Sequence, residues 1–116
     1  MWRIFATSIF LLTWTTFVSG CANFRSCGGG DDWWGPDKKK HFAASAAIGA
    51  GTTLAASTRA DTADAATIGF ATATAAGAAK EWYDLNIKKT CWSWKDLVWD
   101  IIGASVGASL AAWAVD

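Results

Sequence analysis

Asp37-Lys38-Lys39-Lys40-His41-Phe42 packs one acid, three bases and the only histidine of the chain into six residues. A polar, glycine-rich segment precedes it, and a long run of Ala, Gly, Ser and Thr follows. Pro36 suits the first turn of a helix. Downstream, Phe42, Ile48 and Leu54 recur at a spacing of six, with no alternation of the kind a strand shows. The stretch predicts a helix from Pro36 to about Ser57, weakened by Gly49 and Gly51.

Two further helices follow from capping signals. Asp61, with Asp64 three residues on, is a sensible N-cap for a helix reaching about Asp84 or Leu85. Ser93-Trp94-Lys95-Asp96 has the S-x-x-D form of a capping box and opens a third helix that runs to the end. Connections this short make consecutive helices antiparallel neighbours. The fold class is therefore all-α: a compact three-helix antiparallel bundle of small-residue-rich helices over 36–116. The start of the first helix, the end of the second and the start of the third then share one end of the bundle.

That end collects most of the charge. Asp37/His41, Lys80/Asp84 and Asp96/Asp100 are i,i+4 pairs, and Lys38/His41 and Glu81/Asp84 are i,i+3, so each pair shares a helix face. Lysines at a helix N-terminus and carboxylates at a C-terminus sit at the unfavourable pole of the dipole. Lys38 to Lys40 and Glu81/Asp84 are both misplaced for their own helices, and the expectation is that they serve each other across the bundle. Asp100, between Trp99 and Ile101, needs a partner, a proton or a metal. The candidate polar cluster is Asp37, Lys38, His41, Lys80, Glu81, Asp84, Asp96 and Asp100. Asp96 has a capping role as its plain alternative, and Lys39 and Lys40 read as a solvated face.

Composition narrows the function classes. Lys+Arg and Asp+Glu are 10 each over 116 residues, so no basic excess exists for nucleic acid. Hydrophobic residues make up 53%, much of it alanine, with 9 tryptophans. No paired Cys/His spacing supports zinc, and no cofactor motif is present. Ser45 lies one turn from His41, which in a serine-bearing small-residue helix is no sign of a catalytic triad.

The N-terminus has its own logic. Met1-Trp2-Arg3 is a short positive start, 4–18 is an uncharged and largely apolar run, and Val18-Ser19-Gly20-Cys21 ends it. This is the layout of a secretory signal over 1–20. Its end resembles a bacterial lipobox, which implies cleavage before Cys21, acylation of that cysteine and a membrane-lipid partner. Ala22 follows, with no aspartate there, which in a Gram-negative host points to the outer membrane facing the periplasm. Residues 21–35 read as the lipidated N-terminus and a flexible, Gly-rich tether. Cys27 and Cys91 remain, either as a disulfide or as two free thiols.

The ordered motifs D-K-x-x-H-F (Asp37, Lys38, His41, Phe42), K-E-x-x-D (Lys80, Glu81, Asp84) and S-x-x-D-x-x-x-D-x-x-G (Ser93, Asp96, Asp100, Gly103) resemble the small YfiM-type lipoproteins. They are more distantly similar to VanZ-like membrane proteins. The resemblance covers about 36–112 and implies a helical envelope protein, and it assigns no activity. Three functions follow as expectations: a structural or accessory lipoprotein; a binding module for an anionic lipid headgroup or glycan phosphate; and, least supported, a metal-assisted hydrolase. The reading leans away from an enzyme. The charge-free runs 42–58, 65–79 and 101–115 hold 17, 15 and 15 residues, each short of the ~20 that span a bilayer. Trp33, Trp34, Trp82, Trp92, Trp94 and Trp99 fall at the charged end, as an interfacial belt meeting a membrane or envelope partner would, or equally as the wall of a binding cleft or the cap of a small core.

Overall fold

A computed structural model describes residues 25–116. The signal segment and Cys21 lie outside the described residues. Three helices form an all-α bundle: α1 Pro36–Ala56, α2 Thr62–Asn86 and α3 Trp94–Val115, with every pair in contact. The boundaries follow the capping chemistry. The Asp61 carboxylate accepts the Asp64 N–H and opens α2, and the Ser93 hydroxyl accepts the Asp96 N–H and opens α3. The end of α2 is closed by Thr90, whose N–H and hydroxyl both donate to the Asp84 carbonyl, at 2.9 and 3.0 Å.

Register is set by residues without side chains. Along α1 and α3 the close approaches are Phe42 with Gly103 and Ala46 with Gly107, one helical turn apart in each helix, so these two run parallel. Gly69 of α2 lies against Gly49 and Thr53 of α1, and Gly77 of α2 against Asp100 of α3, which makes α2 antiparallel to both. The buried interior is correspondingly small: Ala65, Ala73, Ala104, Ala108 and Ala111, with Ser45 and Thr53 among them. Backbones approach closely here because nothing larger than a methyl or hydroxyl separates them.

The Gly-rich stretch before α1, expected as a tether, is fastened to the bundle. Cys27 and Cys91 form a disulfide across a sequence separation of 64. A cross-link closing a loop of that size removes about 4 kcal/mol of unfolded-chain entropy. Beside it, Ser26 and Trp92 make an isolated parallel bridge. The Cys27 N–H donates to the Trp92 carbonyl at 2.8 Å, and the Trp92 N–H to that of Arg25 at 2.7 Å. Farther on, the Trp99 indole N–H donates to the Trp33 carbonyl at 2.9 Å, and Trp34 packs edge-on to Trp99.

Two glycines give opposite expectations. A Cβ at Gly107 would overlap the backbone carbonyl of Ala46, whereas one at Gly51 meets nothing within 4 Å. Gly107→Ala should therefore destabilise the bundle by about 1–3 kcal/mol. Gly51→Ala should stabilise it by up to about 1 kcal/mol through helix propensity alone. Thermal melting of the two variants checks this, and equal behaviour would contradict the register.

Candidate functional site

The charged end converges as the antiparallel topology requires. Asp37, Lys38 and His41 come from α1, Lys80, Glu81 and Asp84 from α2, and Asp96 and Asp100 from α3. Asp31 joins them from the fastened stretch before α1.

Lys38 is the centre. Only 1% exposed, its ammonium lies 2.5 Å from Asp31 Oδ1, 2.8 Å from Asp37 Oδ2 and 2.5 Å from Asp96 Oδ1. Burial disfavours the charged lysine, but the three carboxylates outweigh it and hold its pKa above the ordinary value. Asp96 is shared. Its Oδ1 faces Lys38, and its Oδ2 lies 3.2 Å from His41 Nε2 and 3.7 Å from Lys80 Nζ. Its capping role belongs to its backbone N–H, which donates to Ser93 Oγ at 3.1 Å.

His41 lies between two acids. Its Nδ1 is 3.1 Å from both oxygens of Asp100, and its Nε2 faces Asp96. Two carboxylates on two ring nitrogens favour the doubly protonated imidazolium. The hydrogen bond to Asp100 accordingly raises the His41 pKa. The neutral ring has a donor of its own, because Lys80 Nζ is 3.3 Å from Nε2. Asp100, expected to need a partner, has this histidine. Gly77 makes room for it, since a Cβ there would lie 2.7 Å from Asp100 Cγ.

Glu81, 1% exposed, receives Lys80 on Oε1 at 3.0 Å and the Ser93 N–H on Oε2 at 2.8 Å. Burial pushes its pKa up. Asp84 takes Lys80 at 2.7 Å and Lys88 at 3.3 Å.

All eight sequence-derived cluster residues are brought together, but one pairing differs from the dipole argument. Lys38 does not serve Glu81 or Asp84; Lys80, on their own helix, does. The cause is Asp31, which the sequence reading left in the tether. The disulfide and the Trp92 bridge carry it over the start of α1, where Ser93 Oγ donates to its Oδ2 at 2.6 Å and Lys95 binds its carbonyl. Lys39 and Lys40 are exposed and make no ion pair among the described residues, as a solvated face would.

Both His41 nitrogens are engaged by acids, so neither is available to Ser45. Two trios hold ligand atoms mutually within 4.8 Å: His41, Glu81 and Asp96, and Asp31, Asp37 and Asp96. Each already has an ammonium against it, Lys80 in the first and Lys38 in the second. The arrangement suits a lysine where a cation would otherwise sit. No family model, curated protein or solved structure matches this chain.

Removing Lys38 should strand three carboxylates. Lys38→Met is expected to cost about 3–5 kcal/mol in urea unfolding, and Lys39→Met less than about 0.5. His41 adds a pH signature. Its pKa is raised in the folded state, so its stabilisation is complete below the ordinary 6.5 and declines as pH rises through the raised value. The difference in melting temperature between wild type and His41→Gln should be largest near pH ~5.5 and shrink towards pH ~9. A gap that widens with pH would contradict the imidazolium assignment.

Proposed function

We propose that this chain is a lipid-anchored structural or accessory component of a bacterial envelope, whose charged cluster locks three helix ends together. The observation that carries the structural role is the closure of the ionic network. Each buried charge is met by partners from another segment of the same fold, and the single histidine, His41, is held by Asp96 and Asp100. A reacting group would need a free nitrogen.

The envelope location is supported by the lipobox-like Val18-Ser19-Gly20-Cys21 and by the resemblance of the three ordered motifs to YfiM-type lipoproteins. The Cys27–Cys91 disulfide adds to this, because such bonds persist in oxidising compartments. In a Gram-negative host the absence of aspartate after Cys21 favours the outer membrane. Binding of an anionic lipid headgroup or glycan phosphate is a second reading, favoured by the exposed Lys39 and Lys40 and by Lys95, whose ammonium lies 5.5 Å from the centre of the half-exposed Trp33 ring.

Metabolic labelling with palmitate tests the anchor. Label is expected on the wild-type chain and absent from Cys21→Ser; label that persists in the variant would sink the lipoprotein reading.

A further inference from the structure

The bundle is inverted relative to one built for water. Between its two ends the buried positions are small, as at Thr53, Ala65, Ala73, Ala104 and Ala108. The large apolar side chains of the same stretch face outward: Ile48, Leu54, Ile68, Val106 and Leu110, the last 60% exposed. Fully burying a Leu or Ile would contribute about 1.5–3 kcal/mol in water, and this fold leaves a large part of that contribution unused. Small-residue contact without a hydrophobic drive between helices is how helices associate in lipid.

Three further observations identify what covers the outer surface. The outward apolar residues lie on α1, α2 and α3 alike, so they surround the bundle and do not form the single patch that a second copy would cover. The charge-free helical stretches 42–56, 65–79 and 101–115 each measure about 22 Å at 1.5 Å per residue. That is a little under the ~30 Å hydrocarbon layer, a mismatch that bilayer thinning and flanking Trp and Lys absorb. Exposed tryptophans bracket these runs: Trp34 and Trp82 at the ionic end and Trp113, 81% exposed, at the other. Among the described helices α3 alone is long and apolar enough to cross a membrane by itself, with a mean hydropathy of 1.5.

We propose that the bundle is seated in the hydrocarbon layer of a bilayer, with acyl chains against the outer faces of all three helices and the ionic cluster at one interface. This deepens the envelope reading and rests on it for the presence of a membrane, but it does not require acylation of Cys21. An anchored domain standing in water and an inserted one are different molecules at the same surface.

Spin labels on the full acylated chain, reconstituted in phosphatidylethanolamine/phosphatidylglycerol vesicles, distinguish them. Labels at Ile48→Cys, Ile68→Cys and Leu110→Cys should collide readily with oxygen and be shielded from a water-soluble nickel chelate. A label at Lys39→Cys should show the reverse. High nickel accessibility at the three apolar positions would overturn insertion while leaving the lipid anchor intact. Low accessibility to both reagents would overturn it in favour of a protein partner or a second copy. Loss of palmitate label in the wild-type chain, by contrast, would count against the anchor alone.

Discussion

A buried ammonium with three acidic partners governs the geometry of this fold. Asp31, Asp37 and Asp96 keep Lys38 charged in its buried position, and burial without them would cost several kcal/mol. Those partners come from the segment before α1, from α1 itself and from α3. Satisfying one side chain therefore fixes three pieces of chain relative to one another. Asp96 extends the constraint to His41 and on towards Lys80, which brings in α2.

The rest of the bundle coheres differently. Away from the ionic end, contact rests on glycine and alanine and on the short distances they permit. The two regimes meet at Gly77, where a missing side chain on α2 gives Asp100 the space to reach His41. Polar specificity at one end and dispersion along the length are complementary. The ionic cluster selects which helix ends meet, and the small residues let the helices stay close for several turns.

Much of this was legible in the sequence. Ser93 and Asp61 announced their helices because a cap is a local device, readable from four residues. The eight cluster residues were legible because short connections leave one way to order three helices. Asp31 was not: Cys27 offered a disulfide that would fold the run back, with free thiols as the alternative, but no local pattern sets Asp31 against Lys38. Its position depends on a bond between residues 64 apart in sequence and on a backbone bridge to Trp92. The pairing of Lys38 was misread for that reason. Helix dipoles belong to the helices alone, whereas this acid arrives from outside them. Gly77 was illegible too, because its role is to be absent beside one particular aspartate.

The disulfide also sets a path for mechanical load. Tension applied on the N-terminal side of Cys27 passes through the sulfur atoms into Cys91, and from there to the start of α3. The intervening chain, including Asp31 and the whole of α1, is bypassed. A pull that would otherwise peel α1 from its neighbours one turn at a time is delivered to the junction of α2 and α3, where Glu81 holds the Ser93 N–H. A pull from the N-terminal side of Cys27 is therefore borne by the disulfide before it reaches α1.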